Sequence, residues 1–160
     1  MKTPIPVTLR RATKRGQREA SVERILESAL SLMLTNGYHS TSVNEIAKKA
    51  LLTKGAIYFH FSNKTAIVMA LLDVIEKLII GGLTERLLSA GPTNQDKLVA
   101  AIHGQGILAE TKTKYLLLFT LLLLEFTGTK TSIEVRVKQI YDAFVLELER
   151  IVGAGKTSGE

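Results

Sequence analysis

The chain has 160 residues, of which 46% are hydrophobic, so it is long enough and apolar enough to bury a core and is not a disordered polymer. It has no cysteine, which excludes a disulfide framework and thiolate metal ligation. Its longest apolar run, Tyr115 to Leu124, falls short of the about 20 residues that span a bilayer, and no apolar signal segment follows the basic amino terminus. A soluble, cytoplasmic protein with no membrane partner is expected. The net charge of +6 is unevenly placed: residues 1–64 carry 11 Lys/Arg against 4 Asp/Glu, and the remainder is nearly neutral.

Every predicted element is a helix, and no strand-like alternation occurs, so the expected fold class is all-α. Residues 1–16 read as a flexible basic arm containing Arg10, Arg11, Lys14 and Arg15. Such an arm can lie along phosphates or enter a minor groove; it can equally be a solvated tail. A first helix is expected over Gln17 to Asn36, with Ile25, Leu26, Ala29, Leu32 and Met33 on its buried face and Gly37 ending it. Ser42-x-x-Glu45 is a capping box, and Val43, Ile46, Ala47 and Ala50 make the stripe of a helix about two turns long. Thr53 caps a second short helix that carries Lys54, Ile57, Tyr58 and Phe61. Two short helices this close suit a helix-turn-helix, whose second member enters the DNA major groove.

A long helix is predicted from about Lys64 to Ser89, broken by Gly91-Pro92. Thr93-x-x-Asp96 opens a helix to about Glu110, and another covers about Thr113 to Thr127 before Gly128. Thr131-x-x-Glu134 caps a last helix to near Gly153, whose Ile133, Val137, Ile140, Phe144, Leu148 and Ile151 keep one apolar side. The ending Gly153-Ala154-Gly155-Lys156-Thr157 is not a phosphate loop, because Arg150 stands where that pattern needs glycine and no strand precedes it. His39 and His103 lie far apart and supply no metal ligand set. No cofactor is expected.

The run Arg24-Ile25-Leu26, Ala29, Gly37-Tyr38, Thr41-Ser42-Val43, Ile46-Ala47, Ala50 and Lys54 to Lys64 resembles the tetracycline-repressor (TetR) family of bacterial transcriptional regulators. The resemblance implies a helix-turn-helix DNA-binding domain over residues 17–63 and a helical regulatory domain over 64–160. One departure concerns the turn: the family usually has glycine where this chain has Leu51, and a left-handed backbone there costs a leucine roughly 1–2 kcal/mol.

Ile57 and Phe61, four apart, are expected in the core, with Lys54 and Tyr58 on a neighbouring outward face. The resemblance implies that Lys54, Gly55, Ala56, Tyr58 and His60 touch DNA and that Lys64 binds a phosphate. Phe59 either packs or joins that surface. Thr41, Ser42 and Thr53 offer hydroxyls and helix-start amides to phosphates. The family's second half binds a small-molecule effector between helices and dimerises through its last two helices. His103, Gln105, Tyr115, Phe119, Glu125 and Tyr141 are the polar and aromatic residues expected near such an effector, whose identity the sequence leaves open. Family members run longer than 160 residues, so the chain is either a shortened product or a dimer built differently. The expected activity is that of a ligand-responsive repressor on a palindromic double-stranded operator, working as a homodimer and not as an enzyme. The rival is a helical binding protein whose DNA-binding unit is inactive.

Overall fold

The computed structural model describes residues 14–160, all helix and connecting turns with no strand among them. The predicted arm residues Arg10 and Arg11 lie outside the described residues. Helix α1 runs Lys14–Ser40, three residues earlier than predicted, so Lys14 and Arg15 stand on its first turn and not in an arm. Ile25, Ala29 and Met33 are fully buried along α1. Gly37 breaks the helical path as expected (φ 81°, ψ 165°), a conformation open to glycine and poorly accessible to residues with a Cβ.

Helices α2 (Val43–Lys49) and α3 (Lys54–His60) follow, each with its predicted cap. Ser42 Oγ accepts from the Glu45 amide while Glu45 returns a carboxylate to the Ser42 amide, and Thr53 Oγ1 accepts from the Ala56 amide. Such short helices are marginal alone. Burial of Ile46, Ala47 and Ile57 in the core shared with α1 supplies what their length lacks.

The predicted long helix is a composite. Helix α4 (Lys64–Glu76) passes through a π-helical turn, Lys77–Gly81, into α5 (Gly82–Ser89). The physical reason is spacing: Leu71, Ile75, Ile79 and Leu83 are all buried at intervals of four. A 3.6-residue helix would rotate that series off the core, and a locally wider turn keeps it facing inward. With Ile67, Val68 and Leu72 also at 0% exposure, α4 is the central helix, packed on α1, α7 and α8.

Helix α6 (Asn94–Thr111) starts on the Thr93–Asp96 capping box and lies against α5; α7 (Thr113–Phe126) lies against α1 and α8. Helix α8 (Ser132–Ser158) runs past the predicted end near Gly153. Gly155 is buried there with its Cα face on Asn94, and Glu160 accepts from the Asn94 amide at 2.6 Å, so tertiary contact carries the helix over two glycines. The predicted cap at Thr131 is also modified. Thr131 Oγ1 accepts from the Glu134 amide, but the Glu134 carboxylate accepts from the Gly128 and Lys130 amides and braces the preceding loop.

Candidate nucleic-acid interface

The turn between α2 and α3 forms with leucine at its critical position. Leu51 takes φ 54°, the Leu52 amide donates to the Ala47 carbonyl and the Leu51 amide to Lys48, the two bonds of a Schellman ending. The Arg24 guanidinium, from α1, donates to the carbonyls of Ala50 and Leu51. Arg24 therefore locks the turn from outside, a role that no local pattern announces because it spans 26 residues.

With Ile57 fully buried and Phe61 packed beneath, α3 turns Lys54, Gly55, Tyr58 and Phe59 to solvent. Phe59 is 74% exposed and Tyr58 47%, unusual for aromatic residues with nothing to cover. Each has a cation beside it: Lys54 Nζ lies 5.8 Å from the Tyr58 ring centre and Arg18 Cζ 5.9 Å from that of Phe59. A side chain at position 55 would make only ordinary contact with Thr53, 3.8 Å away. Packing within the chain thus has room for a larger residue there, and the bare backbone faces outward. Ala56 is half-buried. His60 is half-buried in a T-shaped contact with Phe59, and its Nδ1 is buried without a hydrogen-bond partner. Ser42 and Thr53 are exposed, their oxygens accepting the cap bonds and their hydroxyl protons remaining to donate outward. Arg15 is exposed and pairs with Glu19 at 2.9 Å.

Two expected phosphate ligands are occupied within the fold. Thr41 is 1% exposed, its hydroxyl donating to the Gly37 carbonyl and its amide to Tyr38. Lys64 Nζ donates to the carbonyls of Tyr38 (2.7 Å), Thr41 (2.9 Å) and His39 (3.3 Å) and lies 4.1 Å from the Tyr38 ring centre. Lysine has three ammonium protons, and three carbonyls where α1 ends receive them, that of Tyr38 alongside the Thr41 amide. Burial pushes the Lys64 ammonium below the ordinary lysine range, while Glu125 and Glu45 oppose that shift. Glu45 itself is held below the usual carboxylate range, first by the Ser42 hydroxyl and amide.

The six residues expected around an effector do not converge. Tyr115 lines a groove of about 720 Å³ with Val22, Leu26 and Glu23 of α1 and Val74 of α4. Burial raises its phenol, with Glu27 and Glu23 adding to the shift. Gln105 lines a separate groove of about 470 Å³ between α5 and α6. Phe119 packs against the core. Glu125 faces His39 at 3.4 Å, and His103 and Tyr141 are exposed. Among the described residues no cluster of three or more potential metal ligands occurs, and no helix is long and apolar enough to cross a membrane.

Residues 25–71, which contain α2 and α3, match the family model described as bacterial regulatory proteins, tetR family. The chain is 41% identical to the solved MbdR regulator from Azoarcus sp. CIB, with a TM-score of 0.78 over 87% of this chain and 72% of that one. It is 28% identical over 148 residues to the fatty acid metabolism regulator protein of Bacillus subtilis (strain 168), covering 90% of this chain and 72% of that protein. The HTH-type transcriptional regulator YuxN of the same organism is 47% identical over 49 residues, 31% of this chain and only 17% of its own length. Several curated relatives are thus matched over a minor part of their length, the part that holds the helix-turn-helix. Family model, capped two-helix unit and shared architecture agree: the chain belongs to the tetR family of bacterial regulatory proteins.

Proposed function

We propose that this chain is a sequence-specific DNA-binding transcriptional regulator, a repressor that a small molecule releases from a palindromic operator, working as a homodimer in the cytoplasm and catalysing no reaction. The observation that carries this reading is the outer face of α3. Lys54, Gly55, Tyr58 and Phe59 are exposed together on a helix whose opposite side is anchored by Ile57. Lys54 and Arg18 supply charge for phosphates, Tyr58 and Phe59 supply contact area, and Gly55 allows close approach of the backbone. Ser42 and Thr53 offer hydroxyls at two helix starts. The name of one relative, an HTH-type transcriptional regulator, supports the same reading.

Residues 17–63 act in this reading as the DNA-binding unit and 64–160 as the regulatory unit. Their mechanical link is Lys64, the first residue of α4, which holds the end of α1 just before α2 begins. A ligand that prefers one placement of α4 would carry the helix-turn-helix with it, and the difference in affinity for the two placements sets how far operator binding falls. The test is binding to DNA flanking the chain's own gene against a scrambled duplex at several salt concentrations, with complex mass read in the same experiment. Preferential binding by two chains supports the proposal; equal, weak binding to both duplexes by one chain overturns it.

A further inference from the structure

The groove between α5 and α6 carries charge that the fold does not use. It is bordered by the π-helical turn and by Lys77, Arg86 and Lys112, with Glu85 as the one carboxylate on its wall. None of the three cations forms an ion pair, and the Arg86 guanidinium makes no hydrogen bond, among the described residues. Arg86 is half-buried, whereas an arginine with no partner is ordinarily free to swing into water. Here its side chain lies across Gly104: a Cβ at that position would stand 2.3 Å from Arg86 Cδ and 2.6 Å from Nε. Gly104 is buried in the middle of α6, where glycine is a poor helix former, and its absent side chain is what lets the arginine lie flat.

The opposite wall is bare for no internal reason. Gly81 and Gly82 have ordinary helical angles, and a Cβ on either would meet nothing within 4 Å. Neither backbone conformation nor packing within the chain requires glycine there, yet both line the groove. Leu83 and Leu108, both buried, give it an apolar floor, and Gln105 adds an amide. At about 470 Å³ the space is of small-molecule size.

We propose that this groove binds an organic anion, a carboxylate or phosphate head on an apolar body, with the head on the Arg86 guanidinium flanked by Lys77 and Lys112. The planar fork of arginine donates two parallel hydrogen bonds to either head, and Leu83 and Leu108 cover the body. Binding there bears on the π-helical turn and thus on the far end of α4, whose near end holds the DNA-binding unit through Lys64. The inference deepens the ligand-responsive reading proposed above and rests on it for its consequence, though not for the site.

The test is calorimetric titration of the full chain with decanoate, decyl phosphate and decyltrimethylammonium, each below its micelle concentration. The expected result is binding of one or both anions, at least about tenfold tighter than the cation. Arg86→Gln weakens the anion about tenfold or more, and Gly82→Leu, which fills the groove at unstrained helical angles, abolishes it. Binding of decanoate alone identifies a carboxylate ligand, and of decyl phosphate alone a phosphate ester. Equal binding of anion and cation, binding of neither anion, or unchanged affinity in Gly82→Leu overturns the site. Circular dichroism and melting of each variant report folding, and Lys112→Gln replaces Arg86→Gln if the latter unfolds. Operator binding is measured separately without probe. A chain that binds its operator but neither anion loses only the groove; one that binds decanoate through Arg86 but no operator loses only the regulator reading.

Discussion

Lys64 and Tyr38 meet twice: the ammonium donates to the Tyr38 carbonyl at 2.7 Å and lies 4.1 Å from the centre of the Tyr38 ring. The same ammonium also holds the Thr41 and His39 carbonyls, so the residue joins the first helix of the DNA-binding unit to the central helix of the chain. Tyr38 in turn packs edge-on against Phe126 of α7, with ring centres 5.1 Å apart. The two halves also meet along α1, which packs on α4 and α7.

Lys64→Met keeps the aliphatic stem and removes the donors. The half-buried Thr41 carbonyl then loses the lysine donor and the Tyr38 carbonyl keeps only the Thr41 amide, which destabilises by about 1–3 kcal/mol, read as a lower denaturation midpoint in urea. In operator titrations the slope of log K against log salt stays unchanged for this variant. Lys54→Met does the reverse: stability holds and the slope falls by about 0.9, the value of one phosphate contact. A smaller slope for Lys64→Met would return that residue to the phosphate-binding set.

Leu51 is 84% exposed at φ 54°, so glycine there relieves strain while sacrificing little packing. Relief of roughly 1–2 kcal/mol is partly offset by the roughly 0.5–1 kcal/mol entropy of an added glycine. Leu51→Gly is therefore expected to raise stability by about 0.5–1 kcal/mol without altering operator affinity. Leu51→Val, β-branched and worse suited to this conformation, should lower it. Denaturant midpoints of the two variants check both signs.

Tyr58→Ala and Phe59→Ala remove exposed rings, so melting temperature should hold within a degree or two while operator affinity falls about tenfold for each that touches DNA. Ile57→Ala, at 0% exposure, should destabilise by about 2–5 kcal/mol, so that DNA binding fails through loss of the fold. Paired thermal melts and gel shifts separate the two modes of failure.

The caps of α2 and α6 predict an acid limb. Glu45 and Asp96 both sit below their ordinary values of 4.5 and 3.8, chiefly because Ser42 and Thr93 donate to the carboxylates. A depressed folded-state value means stability that is complete above the unfolded value and lost as pH falls through the folded one. Melting temperature should accordingly decline below about pH 4.5, and Glu45→Gln with Asp96→Asn should flatten that decline. An unaltered acid limb in the double variant would show that other groups control it.

Much of the architecture was legible as pattern. Ser42, Thr53 and Thr93 each cap the helix assigned to them, because a capping bond is made within four residues and depends on nothing distant. The buried face of α8 and the positions of Ile57 and Phe61 followed from apolar spacing for the same reason. The π-helical turn was hidden, although buried positions at 71, 75, 79 and 83 mark it once burial is known: four-residue spacing over such a span resembles an ordinary helix until the core decides which residues must face it. The end of α8 was misplaced because Gly153 and Gly155 read as a stop, and only contact with Asn94 outweighs them.

By itself the sequence determined the helix-turn-helix, its caps and the outward placing of Lys54 and Tyr58, all set by side chains within a few residues of the backbone they act on. Tertiary structure alone decided what Arg24, Lys64 and Arg86 do. Long cationic side chains carry no local signature, since their donors reach backbone or neighbours brought close only by folding. Lys64 meets the end of α1 from 23 residues away or more, Arg24 meets the turn across a similar interval, and Arg86 lies flat only because Gly104 is beneath it.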